Sequence, residues 1–118
     1  MSENRDKTLS LLGLARRAGC LEIGGEAVNA AVRHGRAMLV LTASDASEGT
    51  KRRARGCAAG GGAEYIELER TKFELGAAIG RGETATVAVC GAGMADGIRK
   101  SAARDGRTVP DGNEGELI

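Results

Sequence analysis

Aromatic residues are almost absent from this chain of 118 residues, which contains one Tyr, one Phe and no Trp. Proteins that bind single-stranded nucleic acid by base stacking present several aromatic side chains, so Tyr65 and Phe73 alone do not support that mode of binding. The hydrophobic residues, 42% of the sequence, are therefore mostly aliphatic. They are numerous enough to form the core of one small domain.

Residues that bind metals or form disulfides are also few. The chain has three cysteines, Cys20, Cys57 and Cys90, and a single histidine, His34. The odd number, the long spacings and the absence of a CxxC pair argue against both a zinc site and a disulfide framework. The sequence predicts free, buried thiols in a reducing compartment, and neither a metal nor a cofactor.

Long hydrophobic runs and catalytic constellations are missing as well. The N-terminus carries no apolar signal segment, and no run approaches the roughly 18 apolar residues of a membrane span. The prediction is a soluble cytoplasmic protein that does not contact membranes. No nucleophile–base pair, phosphate loop or metalloprotease motif is visible, so the chain is not expected to be an enzyme.

A glycine pair follows the last apolar segment and could suggest a dinucleotide site. Gly91 and Gly93 stand where a strand passes into a helix, but Asp96 occupies the position of the third glycine. No second strand with an acidic residue follows, as that fingerprint requires. The pattern favours an ordinary strand-to-helix turn.

Hydrophobic periodicity and glycine positions define alternating elements along the chain. Residues 71–74 also show a capping box, with Thr71 at the cap and Glu74 three residues later. The alternation predicts an α/β fold, a three-layer α/β/α sandwich with a small mixed sheet of about four strands. Helices are predicted over 6–17, 26–34, 47–59, 71–79 and 92–104, and strands over 21–23, 38–41, 64–68 and 86–90.

Composition changes at about residue 105. Residues 105–118 contain the single proline, three glycines and a net charge of −3. The sequence predicts one domain over residues 1–104 and a flexible acidic tail over 105–118.

Charge is distributed unevenly although the total is only +1. Residues 1–58 carry ten Lys and Arg against six Asp and Glu, whereas residues 59–118 carry seven against ten. Four cations lie within residues 51–55, namely Lys51, Arg52, Arg53 and Arg55. Such a run is either a solvated helix face or a surface that contacts phosphates, and the sequence leaves both interpretations open.

Three stretches of the chain resemble bacterial members of the ribosomal L7Ae/L30e/S12e/Gadd superfamily. They are LLGLARRAGCLEIGGEAV at 11–28, RHGRAMLVLTASDASEGTKRR at 33–53 and ELGAAIGRGETATVAV at 74–89. The resemblance covers residues 8–100 and implies the same three-layer fold. It also implies binding to kink-turn RNA, a sharply bent internal loop with sheared G·A pairs, by a ribosomal-protein-like RNA-binding protein.

The resemblance further implies which segments contact RNA: residues 24–33, the loop 43–47 after the central strand, and the loop 80–85 before the last strand. The archaeal pattern Gly-x-Asn-Glu-x-x-Lys keeps its glycine at Gly24, but Glu26, Ala27 and Ala30 replace the Asn, Glu and Lys. Affinity for kink-turn RNA is therefore expected to be weaker than in relatives with the Lys. The implied RNA-binding residues are Gly24, Gly25, Glu26, Ala27, Asn29, Ala30, Arg33, Asp45, Lys51, Gly82, Thr84 and Ala85.

Three functions follow from these observations. The first is non-catalytic binding of structured RNA, either ribosomal RNA on the ribosome or another kink-turn RNA. The second is a protein-interaction module of the Gadd type, which the low net charge and Ala30 favour. The third is an RNA-substrate-binding partner of a methyltransferase, because the chain is too short to include the knotted catalytic domain itself.

Overall fold

A computed structural model describes residues 3–104, which form five helices and four strands in alternation. The first helix begins one turn earlier than the predicted Asp6, and the other boundaries agree with prediction within about two residues. The predicted tail, 105–118, lies outside the described residues. The elements are α1 Glu3–Arg17, β1 Leu21–Ile23, α2 Gly25–Arg33, β2 Ala37–Thr42, α3 Glu48–Gly61, β3 Glu64–Glu67, α4 Lys72–Ala78, β4 Thr86–Cys90 and α5 Ala92–Arg104.

The four strands form one mixed sheet in the order β1-β4-β2-β3. Strand β4 pairs antiparallel with both β1 and β2, while β2 and β3 are parallel. The two central strands are the most apolar segments, AMLVLT and TVAVC, as expected for strands that are covered on both faces. The predicted mixed sheet of about four strands is confirmed.

Helices cover both faces of this sheet. Side chains alternate along β2, so Leu39 and Leu41 pack with α1, α4 and α5 on one face, whereas Val40 packs with α2 and α3 on the other. Each face has its own hydrophobic cluster, containing Leu12, Leu75 and Ile98 on the first face and Val28, Ala54 and Tyr65 on the second. The α/β/α sandwich expected from the alternation is confirmed.

Met38 is the one exposed residue of β2, whose other residues are buried. Met38 is 43% exposed, although Leu39, Val40 and Leu41 are fully buried. Strand β3 begins at Glu64, opposite Leu39, and the pairing of β2 with β4 shifts register between Ala37 and Leu39. Met38 therefore lies at the irregularity in the β2–β4 pairing, one residue before the first residue of β2 that pairs with β3.

The helices within residues 3–104 are too short or too polar to span a membrane.

Helix α4 begins with the predicted capping box. The Thr71 hydroxyl accepts a hydrogen bond from the Glu74 backbone N–H at 3.1 Å, and the Glu74 carboxylate accepts one from the Thr71 N–H at 2.9 Å. The hydrogen bond from the Thr71 backbone, aided by nearby Arg70, lowers the pKa of Glu74 below its ordinary value of 4.5. The ionised carboxylate is therefore favoured by folding.

We expect Thr71→Ala to reduce the free energy of unfolding, measured in urea, by about 1 kcal/mol, because the Glu74 N–H that Thr71 caps loses its partner.

The pKa of Glu74 is lower in the folded state, so the contribution of the Glu74 carboxylate to stability is complete above its unfolded pKa. That contribution disappears as pH falls through the folded pKa. Urea unfolding of wild type and Glu74→Gln between pH 3 and pH 7 checks this: the difference in stability should be largest at pH 7. A difference that grows in acid would contradict it.

Candidate nucleic-acid interface

A glycine turn joins β1 to α2 at one end of the sheet. Gly24 caps α2 with φ 94° and ψ 156°, a conformation that is essentially restricted to glycine. Its N–H donates to the Thr86 carbonyl at 3.0 Å, which fixes the turn against β4. The first N–H groups of α2 have no carbonyl one turn earlier within the helix, so this end of α2 presents donors and positive potential to a ligand.

The loop between α4 and β4, residues 79–85, lies against α4. The Arg81 N–H donates to the Gly76 carbonyl at 2.8 Å, and the Thr84 N–H donates to the Lys72 carbonyl at 3.0 Å. The Thr84 hydroxyl also donates to the Gly82 carbonyl at 2.9 Å. A Cβ at Gly76 would be only 1.9 Å from the Gly82 oxygen. The close approach of the loop to α4 therefore requires glycine at position 76.

The glycine turn, this loop and helix α3 enclose a cleft of about 610 Å³. The glycine turn and α2 form one part of its wall, α3 forms another, and the loop completes it. The lining combines backbone at glycines, hydroxyl groups and charged side chains of both signs. It consists of Ile23, Gly24, Gly25, Glu26, Val28, Asn29, Thr50, Arg53, Ala54, Cys57, Arg81, Gly82, Glu83, Thr84, Ala85 and Thr86.

The cleft brings together two of the three segments that the superfamily resemblance implied. Seven of the twelve implied residues line it: Gly24, Gly25, Glu26 and Asn29 from the turn and α2, and Gly82, Thr84 and Ala85 from the loop. A shallower depression of about 450 Å³ lies along the α2–α3 seam, and it shares Asn29 and Cys57 with the cleft and includes Arg33. Ala27 and Ala30 line neither.

The third implied segment, residues 43–47, supports the cleft instead of lining it. Ala43 is fully buried, and its N–H donates to the Ala85 carbonyl at 2.9 Å. Asp45 accepts a hydrogen bond from the Lys72 N–H at 2.7 Å and so stabilises the start of α4. The Ser47 hydroxyl caps α3 by accepting from the Thr50 N–H at 3.0 Å.

Lys51, which the resemblance implied as an RNA contact, has internal partners. Its Nζ donates to the Ser44 carbonyl at 2.8 Å and to the Glu67 carboxylate at 3.0 Å. The side chain is only 11% exposed. Lys51 therefore links α3 to the loop after β2 and to β3, and its charge is neutralised inside the fold.

The other cations of the run 51–55 face three different environments. Arg55 lies over the Tyr65 ring, with the guanidinium carbon 5.4 Å from the ring centroid, a cation–π arrangement. Arg53 is exposed and lines the cleft, and Arg52 is exposed outside it. The run is neither a uniform solvated face nor a uniform phosphate-binding surface.

Nine of the sixteen lining residues are absent from the set that the resemblance implied: Ile23, Val28, Thr50, Arg53, Ala54, Cys57, Arg81, Glu83 and Thr86. The α3 members could be found from helical periodicity. Ala54 and Ala58 are the small apolar residues that mark the inward face of α3, and both are buried. Thr50, Arg53 and Cys57 lie within one turn of Ala54 on the adjoining face. Arg81 and Glu83 fall inside the implied loop without belonging to any motif.

Two groups with raised pKa values, Tyr65 and Cys90, lie outside the cleft. Burial raises the pKa of Tyr65, although the Thr42 hydroxyl 2.6 Å from the Tyr65 oxygen opposes the shift. Burial also raises the pKa of the Cys90 thiol, and the Glu22 carboxylate adds to this effect. Neither residue lines the cleft. The three cysteines are free and half-buried, not fully buried as expected. Within residues 3–104, no three acidic, His or Cys side chains cluster as metal ligands would.

Comparisons with known proteins show both partial and nearly full-length likenesses. No protein-family model matches the chain. The RNA-binding protein YlxQ of Enterococcus faecium is 46% identical over 52 residues, which are 44% of this chain and 50% of that protein. The match thus spans only about half the length of this curated relative.

Two of the solved structures that match this chain illustrate the range of sequence identity. The Giardia lamblia 15.5kD RNA binding protein aligns with a TM-score of 0.68 over 88% of this chain and 89% of its own, at 17% identity, which shows a shared fold alone. A Bacillus halodurans protein of unknown function aligns with a TM-score of 0.77 and 34% identity, over 82% of this chain and 97% of its own. These findings support the superfamily resemblance at a coarse level. With that identity over nearly the whole Bacillus chain, the present chain belongs to the same family as the Bacillus halodurans protein.

Proposed function

We propose that this protein binds structured RNA of the kink-turn type in the cleft, without catalysing a reaction. The observation that carries the proposal is the cleft itself, where the glycine turn at Gly24 and the loop 80–85 form adjoining walls. The superfamily resemblance assigned RNA contacts to both segments. Two similar proteins, YlxQ of Enterococcus faecium and the Giardia lamblia 15.5kD protein, are RNA-binding proteins.

The chemistry of the cleft fits a bent RNA better than a regular duplex. An A-form duplex presents a shallow minor groove and a deep major groove that side chains do not enter, whereas bulged nucleotides expose phosphates and base edges. The start of α2 offers N–H groups to a phosphate. Glu26 and Asn29 supply acceptors, and Asn29 also supplies donors, for base edges that leave the stack.

A binding titration with three RNAs of equal length tests the proposal. The RNAs are a kink-turn, the same RNA with its G·A pairs changed to Watson–Crick pairs, and a straight duplex. We expect the kink-turn to bind at least about tenfold more tightly than the other two, equivalent to about 1.4 kcal/mol. Equal affinity for all three would reduce the interaction to general electrostatics and refute the proposal.

Cys57 provides an independent readout because it lines the cleft, with its Sγ 3.4 Å from the Asn29 side-chain oxygen. Saturating kink-turn RNA should slow alkylation of Cys57. Cys20 is also half-buried but does not line the cleft, so its alkylation rate should remain unchanged and serve as the control. Equal protection of both thiols, or none, would place the RNA elsewhere.

One exposed residue favours the Gadd-like alternative of a protein-interaction module. Phe73 on α4 is 71% exposed, and exposed aromatics are common at protein interfaces. It does not line the cleft. If the RNA titration fails, the surface around Phe73 becomes the leading candidate for the functional site.

Ribosomal RNA is one source of kink-turns. Cosedimentation of the protein with ribosomes tests whether the protein associates with them.

A further inference from the structure

We infer that Arg53 of α3 contacts an RNA phosphate in the cleft. The inference rests on the proposed RNA-binding function and deepens it. It assigns one cation of the run 51–55 to the ligand, and it assigns Lys51 and Arg55 to the fold.

Helical geometry separates the four cations. At 100° per residue, Lys51 and Arg55 project within about 40° of each other, while Arg53 projects roughly 160° away from Arg55. Strand β3 lies on the side of Lys51 and Arg55, where Glu67 and Tyr65 engage them. The opposite side of α3 faces the cleft. One helix therefore directs two cations into the fold and one toward the ligand.

Arg53 has the surroundings of a cation that is available to a ligand. Among residues 3–104 it has no ion-pair partner, and its side chain is exposed at the cleft. Its guanidinium runs back along the helix past Gly49, where an added Cβ would lie 3.5 Å from the Arg53 Nη1. Gly49 is in the first turn of α3, close to the positive end of the helix dipole. Thr50, in the same turn, lines the cleft, so a phosphate beside Arg53 in the cleft would also lie near this helix end, where Glu48 is the opposing charge.

The charge balance of the cleft makes this cation important. Two carboxylates, Glu26 and Glu83, line the cleft together with two guanidinium groups, Arg53 and Arg81. In the superfamily pattern α2 itself brings a Lys, but Ala30 contributes no charge here and lies outside the lining. Without Arg53, the carboxylates would outnumber the cations, and an anionic ligand would be repelled.

The test compares Arg53→Gln with Arg52→Gln, which removes the same charge from the neighbouring exposed position outside the cleft. Affinity for one kink-turn RNA is measured from 50 to 300 mM KCl. Arg53→Gln should bind about tenfold more weakly and reduce the magnitude of the slope of log K against log salt by about one, as expected for one lost phosphate contact. Arg52→Gln should stay within about twofold of wild type. Circular dichroism checks that both variants are folded.

The outcomes separate this inference from the proposed function. If wild type prefers the kink-turn but the two variants lose affinity equally, RNA binding stands and the special role of Arg53 is overturned. If Arg53→Gln binds like wild type, the inference also fails while the function stands. If wild type shows no preference for the kink-turn, the proposed function fails and this inference fails with it.

Discussion

A Gly76→Ala variant is expected to lose both stability and the proposed binding cleft. The added methyl would lie 1.9 Å from the Gly82 carbonyl oxygen, 2.7 Å from its carbon and 3.0 Å from the Arg81 oxygen. All three are backbone atoms, so no rotation of a side chain relieves the overlap. Either α4 moves away from the core, where neighbouring Leu75 is fully buried, or the loop 79–85 moves.

Overpacking of this kind costs about 1–3 kcal/mol, and a backbone clash falls at the upper end. For a domain of this size, 3 kcal/mol corresponds to roughly 10–20 °C in melting temperature. Displacement of the loop also moves Gly82, Thr84 and Ala85 out of the cleft wall, so affinity for kink-turn RNA should fall at least about tenfold, or about 1.4 kcal/mol. Thermal melts and the RNA titration, carried out well below the melting temperature, measure the two effects.

Gly97→Ala is the matched control. Gly97 lies in the interior of α5, and a Cβ there would meet nothing within 4 Å. Ala favours a helix over Gly by about 1 kcal/mol, so this variant should be slightly more stable than wild type and bind RNA normally. If Gly76→Ala matched Gly97→Ala in melting temperature and RNA affinity, the loop would not pack closely on α4.

The layered fold was predictable because its signals are local. Apolar periodicity, glycine stops and the Thr71–Glu74 capping box depend on residues only a few positions apart, and they define where elements begin and end. Alternation of helices and strands then leaves few ways to cover a sheet. Met38 shows the limit: its exposure depends on where β3 begins, 26 residues later, and on a register shift with β4.

The candidate binding surface was predictable only in part, for the same physical reason. The motif around Gly24 and the loop 80–85 could be read from the resemblance, and both line the cleft. The roles of Asp45 and Lys51 depend on partners 27 and 16 residues away, the Lys72 N–H and Glu67. No pattern within a short window shows that these charges are used inside the fold. Arg53 was visible as a cation, but only the packing of α3 shows that it faces the cleft.

A Lys51→Met variant is expected to lose stability and keep its RNA affinity. The substitution retains the aliphatic stem and removes the ammonium, so the Glu67 carboxylate, whose side chain is 16% exposed, loses its cation. The Ser44 carbonyl also loses a donor. Breaking a fully buried pair by removing one partner costs about 3–5 kcal/mol. The small exposure of this pair allows water to compensate partly, so we expect a loss of about 2 kcal/mol in urea unfolding.

A double-mutant cycle identifies the origin of that loss. Glu67→Leu removes the other partner, and Lys51→Met with Glu67→Leu removes both, which leaves no unpaired charge at this site. Replacing both members of a buried pair by apolar residues is often nearly neutral, so the double variant should be more stable than Lys51→Met, with a coupling energy of about 1–2 kcal/mol. Additive losses would mean that the two side chains do not interact.

An RNA titration tests the expectation that Lys51→Met keeps its RNA affinity. Studied at a temperature where it is folded, this variant should bind kink-turn RNA within about twofold of wild type and with an unchanged salt slope. A tenfold loss of affinity with little loss of stability would show that Lys51 leaves Glu67 to contact the RNA, as the superfamily resemblance implied.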